Sequence, residues 1–270
     1  MKMNNLTIDE LMVMLELPNE IKEDVQNCIK KIDIEKYQFL IDELISKKAS
    51  INTYDKLKNC FLDDKKNTGV LTIELYAALK TYERYRKYNI DINIFIDTMK
   101  CFKRFLNESK RKYNEYIFDR GWWVYRQLNM SLFRINDLEY ELLDNDEIAV
   151  HIPSDAIFSK EKVDQSLELI NKFVNKYFEV YKNAKYTCDS WLLSPVLKDI
   201  LNDNSNIISF QNRFNIIDID TNNKDYIIWI FNKNNYNSLD ELEEKTSHQR
   251  KIKELIKNNI NIGCAKGVLR

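Results

Sequence analysis

The sequence predicts an α+β protein: a helical N-terminal domain followed by a domain built on a mixed β-sheet with flanking helices. Three observations carry that prediction. Apolar residues in the first half recur at helical spacing, whereas near Ser131 the pattern changes to strand-like alternation. Only 4 glycines and 3 prolines occur in 270 residues, which favours a helix-rich chain with short connections. An apolar content of 44% with 12% aromatic residues is enough for a real core in one large or two modest domains.

Thr7 and Glu10 form a capping-box pattern ahead of an apolar run in which Leu11, Met14 and Leu15 share one face. Further helices fit residues 19–31, 34–47, 51–62 and about 70–88. One helix is expected from Ile92 to about Glu108, with Ile94, Phe95, Met99, Phe102 and Phe105 near helical spacing. Aromatic residues continue through Tyr113, Tyr116, Phe118, Trp122, Trp123 and Tyr125, and we read these stripes as the core of a helical bundle.

Beyond Ser131, residues 132–135 and 138–143 alternate like strands and Asp144 to Asp146 reads as a turn. A third strand, 148–152, is ended by Pro153. Ser159 is the expected N-cap of a helix whose inner face carries Val163, Leu167, Ile170, Val174 and Tyr177. Residues 186–191 read as a strand, and Pro195 falls in the first turn of a short helix ending at Leu201. Residues 212–220 and 225–231 are expected to form a hairpin around a loop at 221–224. Thr246 and Gln249 repeat the capping-box pattern and open a final helix to about Asn258. There is no internal repeat and no Pro/Gly/Ser-rich linker, so the change in periodicity alone sets the expected domains, 1–128 and 129–270.

Charge is balanced, with 41 basic and 42 acidic residues, so no broad field for a nucleic-acid backbone or an anionic membrane surface is expected. The 5 cysteines are widely spaced without a CxxC or Cys/His cluster, which argues against structural zinc and a disulfide framework and fits a reducing cytoplasm. No signal-peptide core and no run near the ~20 apolar residues of a membrane span is present. The abundance of Asn, Lys and Ile extends into plain loops and receives no functional weight.

Rare residue types crowd between Val150 and Phe214, which holds one of the 2 histidines, two of the 3 prolines and one of the 4 tryptophans. His151-Ile152-Pro153, Cys188-Asp189-Ser190-Trp191-Leu192-Leu193-Ser194-Pro195, Ser205-Asn206-Ile207 and Arg213-Phe214 lie there, and Thr246-Ser247-His248-Gln249-Arg250 follows. With Phe95 to Met99 and Leu132-Phe133-Arg134 upstream, these motifs resemble a bacterial family of acyltransferase-domain proteins. Its members join a helical N-acyltransferase N-terminal domain to a GNAT-like C-terminal domain. The resemblance covers the chain from about residue 90 to the C-terminus.

The resemblance implies that 148–152 and 186–191 are neighbouring strands that splay to open a cleft for an acyl thioester, with acyl-CoA as co-substrate and no metal. Typical members of the fold bind the coenzyme A pyrophosphate on a Gly-rich turn before the following helix. Here that turn runs from Pro153 to Ser159, with no glycine and with the carboxylate of Asp155. An Asp beside a pyrophosphate is unfavourable. Gly263 and Gly267, with Lys266 and Arg270, are a second place for phosphates.

Acyl transfer to an amine needs a deprotonated nucleophile, a polarised carbonyl and a proton for the leaving thiolate. His151, because unperturbed histidine has its pKa near neutrality, and Glu141 on the preceding strand are candidate bases. Cys188 is a candidate nucleophile for a ping-pong route, or a small buried residue. No tyrosine lies between Trp191 and Tyr226, so Ser190 or Cys188 would have to serve the leaving group. Candidate contacts to the donor are Ser154 in the turn, Trp191, Asn206, Arg213 and Arg250. Each has a plain alternative: a turn hydrogen bond, a core ring, a cap or a surface cation. Two readings result. One is an N-acyltransferase acting on a small-molecule amine by direct attack. The other is a non-catalytic module that keeps the cleft for a small ligand or a partner protein.

Overall fold

In the computed structural model, residues 6–144, 146–233 and 235–270 are described. The chain forms two compact units, one up to Glu141 and one from Leu142.

The first unit contains helices α1 (Ile8–Met14), α2 (Asn19–Ile29), α3 (Gln38–Leu44), α4 (Ile51–Asn59), α5 (Thr68–Lys87), α6 (Ile92–Met99), α7 (Cys101–Tyr113) and α8 (Gly121–Leu128). The capping box at Thr7 and Glu10 forms as expected. Helix α5 is the core of this unit: Val70, Ile73, Leu75, Ala77, Ala78 and Tyr85 lie on all sides of it and each is completely buried. The single helix expected from Ile92 breaks at Lys100, whose ψ of −5° closes α6 before α7 begins. Phe95 and Met99 before the break and Phe102 and Leu106 after it are all buried, so one apolar stripe is shared by two helices. The aromatic run is core only in part. Phe118 is buried, but Tyr113 and Trp122 are 45% and 40% exposed, because α8 turns Gly121, Val124 and Leu128 inward instead.

Strands β1 (Leu132–Ile135) and β2 (Leu138–Leu143) form an antiparallel hairpin about Asn136 and Asp137, with Asn136 at φ 59°. Compactness places β1 and most of β2 with the helices, and specific bonds show why. Thr98 Oγ1 accepts from Arg134 N at 2.9 Å, and the buried Arg104 guanidinium meets Glu139 at 2.7 Å. The expected turn at 144–146 includes Asn145, which lies outside the described residues.

The second unit runs β3 (Glu147–His151), α9 (Lys160–Tyr177), β4 (Lys185–Ser190), a 3₁₀ turn (Trp191–Leu193), α10 (Leu197–Ile200), α11 (Asn206–Gln211), β5 (Phe214–Asp220), α12 (Tyr226–Phe231), α13 (Ser247–Lys257) and β6 (Cys264–Leu269). The six strands form one mixed sheet in the order β1-β2-β3-β4-β6-β5. β3 and β4 are parallel, joined by α9 as a βαβ crossover, and β6 is antiparallel to both β4 and β5.

The α+β architecture is therefore as expected, with one hairpin misplaced. Residues 226–231 are helix, not strand, and β5 pairs instead with β6, which the sequence left as a tail. Tyr226, Ile227 and Phe231 face the core together at helical spacing, and Asn232 ends the helix at φ 54°. A six-residue apolar run carries no period that separates the two states. Gly267 belongs to this strand pairing: an added Cβ would lie 2.9 Å from Phe214 Cβ and 3.1 Å from Leu193 Cδ1. Among the described residues no helix is long and apolar enough to cross a membrane.

Candidate active site

The parallel ladder between β3 and β4 covers only Glu147↔Lys185, Ile148↔Tyr186 and Ala149↔Thr187. Val150 and His151 continue β3 past the last pair, and Cys188, Asp189 and Ser190 continue β4. Both strands point the same way, so this stretch lies at their carboxyl ends, where open sheets with helical crossovers bind ligands. On its other edge β4 is taken up by β6, through Ser190↔Ala265. His151, half-buried, stands at the end of β3.

The turn after β3 is built without glycine. Pro153 is buried and its carbonyl accepts from Ala156 N at 3.0 Å, while Ser154 and Asp155 are exposed. The Phe158 ring lies 4.9 Å from that of Phe210, which lies 4.9 Å from that of Phe214, pinning the turn to α11 and β5. Ser159 then caps α9, accepting from Lys162 N at 3.3 Å, as its position in the sequence led us to expect.

Arg213 ties the same region together. Its Nη2 donates to Asp164 Oδ1 at 2.6 Å and to the Lys160 carbonyl at 3.3 Å, both in the first turns of α9. Its Nη1 donates to the carbonyl of Ser209 and, at 3.1 Å, to Ser209 Oγ in α11. This cation is thus spent on fixing the start of α9. Arg250 sits on the exposed side of α13 and donates to the Glu244 carbonyl at 2.8 Å. Asn206 is the first residue of α11 and exposed, and the cap itself is Ser205, which accepts from Ile207 N at 3.3 Å.

At the end of β4, Ser190 Oγ accepts from Leu192 N at 3.1 Å and starts the 3₁₀ turn. Gln211, which the sequence did not single out, clamps that turn by donating to the Leu192 and Ser194 carbonyls, both at 2.8 Å. Its Oε1 is buried without a hydrogen-bond partner among the described residues. Ser194 Oγ donates in turn to the Ile262 carbonyl at 2.5 Å. Trp191, at the head of the turn, lines an apolar pocket of about 250 Å³ together with residues of α10 to α13.

Cys188 points into the core and is 1% exposed. Burial, followed by the charge of Asp189, pushes its thiol far above the ordinary cysteine range, which suppresses the thiolate. Cys264 on β6 behaves similarly: burial and its hydrogen bond to Asp189 Oδ1 at 3.1 Å hold its thiol up at about 12. Glu141 belongs to the N-terminal unit and pairs with Arg126 at 3.1 Å. That guanidinium stacks over Trp123 and Tyr125, 4.1 and 4.6 Å from their ring centres. The structure therefore groups His151, Ser190 and Trp191 at the strand ends with Ser154 and Arg213 around the turn to α9. Among the described residues no cluster of His, Cys, Asp and Glu has the arrangement of a metal site.

Comparison with known proteins agrees with this fold. Residues 7–130 match the model of the N-acyltransferase N-terminal domain, and residues 132–269 match that of the GNAT-like C-terminal domain. No curated protein matches the chain. Among solved structures, an acyltransferase in complex with decanoyl-CoA and teicoplanin is similar at 18% identity and a TM-score of 0.81, over 97% of this chain and 87% of that one. A mutant acyltransferase with octanoyl-CoA has a TM-score of 0.82 at 16% identity, with the same coverage. An acyltransferase with CoA and 10C-teicoplanin has a TM-score of 0.77 at 18% identity, again over 97% and 87%. At these identities the likeness is one of fold.

Proposed function

The chain belongs to the family that joins an N-acyltransferase N-terminal domain to a GNAT-like C-terminal domain, and on that premise we propose that it moves an acyl group from acyl-CoA to the amine of a small-molecule acceptor by direct attack. One observation carries the reading: β3 and β4 run on together past Ala149↔Thr187, with His151 and Ser190 at their tips. A thioester seated between those strand ends meets a base from one side and a hydroxyl from the other. Similar structures were crystallised with acyl-CoA and teicoplanin, which supports a thioester donor and a small-molecule acceptor.

In this mechanism the acceptor nitrogen attacks the thioester carbonyl carbon, the C–N bond forms, and the C–S bond breaks. His151 takes the proton that the nitrogen sheds. Ser190, whose Oγ is oriented by Leu192 N, offers its hydroxyl as a hydrogen-bond donor to the departing thiolate, which takes its proton from the His151 imidazolium. The buried, protonated state of Cys188 favours direct attack over a cysteinyl intermediate. The start of α9, with the Ser154 hydroxyl and Lys160 and Lys162 nearby in sequence, is the place for the pyrophosphate. Arg213 positions it rather than binding the phosphate. Glu141, committed to Arg126, plays no part as base.

The test is incubation of the protein with acetyl-, octanoyl- and decanoyl-CoA and a panel of amines, following thiol release and product mass. Turnover should depend on both substrates. His151→Ala should lower kcat/KM by about 10²–10⁴-fold with little change in thioester affinity. The glycine-free turn with Asp155 favours the rival, a ligand-binding module without catalysis. Saturable thioester binding without thiol release from any amine would decide for the rival.

A further inference from the structure

We infer that the pocket beside Trp191 is the binding site for the distal part of an unbranched acyl chain of about eight carbons. This inference rests on the acyl-thioester reading above. The pocket lies wholly within the C-terminal unit and has a volume of about 250 Å³. For scale, a cavity of about 150 Å³ lined by aliphatic and aromatic side chains holds benzene. At roughly 30 Å³ for each small heavy-atom group, the share of a water molecule in the liquid, this one has room for about eight.

Its walls select an apolar occupant. Leu197, Leu201, Ile207, Ile230 and Ile252 form the aliphatic sides, and the indoles of Trp191 and Trp229 complete them. The polar residues of the lining have little to offer a ligand. Thr246 Oγ1 accepts from Gln249 N at 3.1 Å, and Gln249 Oε1 accepts from Thr246 N at 3.0 Å. Gln249 Nε2 donates to the Ile230 carbonyl at 3.0 Å. A polar ligand would lose its hydration there without replacement. The polar residues that do meet solvent, Thr246 and His248, are exposed and stand at the rim.

Position selects a chain that continues from the thioester. Trp191 follows Ser190 directly, so the pocket begins one residue beyond the tip of β4. The intervening turn is held by Gln211 and by Ser194, which fixes the approach to the pocket. Trp229 is 49% exposed, leaving apolar surface that an acyl chain would remove from water.

The experiment is a titration of the full chain, read by tryptophan fluorescence and calorimetry, with coenzyme A, acyl-CoAs of 2 to 14 carbons, and free fatty acids of the same lengths. Each buried methylene should tighten binding about fourfold until the pocket is filled at about eight carbons, after which the gain levels off. Ile207→Trp, which fills the pocket, should collapse the octanoyl-to-acetyl affinity ratio, and Trp229→Ala should lower it about tenfold or more. Comparable melting temperatures establish that both variants are folded. Acyl-CoAs that bind equally at every length would overturn the pocket assignment while leaving the thioester reading standing. Free fatty acids that follow the length series, with no coenzyme A thioester binding, would support the pocket and sink the donor reading. Binding of neither class would overturn both.

Discussion

Glu74 is the residue whose replacement tests the physics of the N-terminal unit most directly. It lies in the middle of α5, is completely buried, and neither carboxyl oxygen has a hydrogen-bond partner among the described residues. Burial raises its pKa well above the ordinary 4.5, so the folded protein keeps this carboxyl protonated where the unfolded chain has released it. Below 4.5 both states hold the proton and nothing is lost. Above it the unfolded state binds fewer protons, and stability falls by about 1.4 kcal/mol for each pH unit until the folded carboxyl itself ionises. The two unpartnered oxygens cost about 1–3 kcal/mol more, at any pH.

Glu74→Met removes both costs at nearly constant volume and with similar helix propensity. It should stabilise the protein by about 1–3 kcal/mol at pH 4, with the advantage widening as the pH is raised through 5, 6 and 7. Glu74→Gln keeps the unpartnered polar group and removes only the ionisation, so it should flatten the pH dependence without the gain at pH 4. Urea denaturation of the three proteins at each pH measures this as a shift in midpoint. Parallel stability curves for Glu74→Met and the natural protein across that range, or a destabilised Glu74→Met, would refute the reasoning. Either would mean that the carboxyl has a partner of real value.

Three further outcomes are expected. Glu139→Gln should cost about 3–5 kcal/mol, because it removes the carboxylate charge 2.7 Å from the Arg104 guanidinium, which is 5% exposed. Replacing both by Met and Leu should recover most of that loss in a denaturation series. Gly267→Ala should lower the melting midpoint through a cost of about 1–3 kcal/mol, since Phe214 Cβ at 2.9 Å belongs to a paired strand and has no room to retreat. Alkylation with mass-spectrometric mapping should find Cys60, which is exposed, modified long before the buried Cys101 and Cys188. Modification of Cys188 at the rate of Cys60 would reopen the cysteinyl route.

Features with local physics were legible in the sequence. The capping boxes at Thr7 and Thr246 and the N-cap at Ser159 need nothing beyond a few residues of chain, and all three formed as read. The run from Tyr226 to Phe231 was not legible, because six apolar residues satisfy strand and helix equally and packing on Leu197, Ile208 and Ile252 decides. The strand from Cys264 was missed for a different reason. Cys-Ala-Lys-Gly is poor in strand-forming residues, and only its place between two waiting edges makes it one. Arg213 illustrates the limit for the site: its charge and its motif flagged it, but nothing in the sequence reveals that Asp164 and Ser209 use up its donors. His248 carried a cue of rarity, as the second of 2 histidines, and was hidden by the ordinary amphipathic helix around it.

The placement of β6 bears on how such a chain is made. The strand that comes last among the six in sequence sits between β4 and β5, so neither of those edges is satisfied until it arrives. During synthesis β4 leaves the ribosome long before its partner does, and pairing must then bridge the whole excursion through α10 to α13. Closing so large a loop is slow, and an open strand edge is a template for other chains meanwhile. The C-terminal half should therefore depend on holding chaperones, or on cool and slow expression, more than the helical half that precedes it.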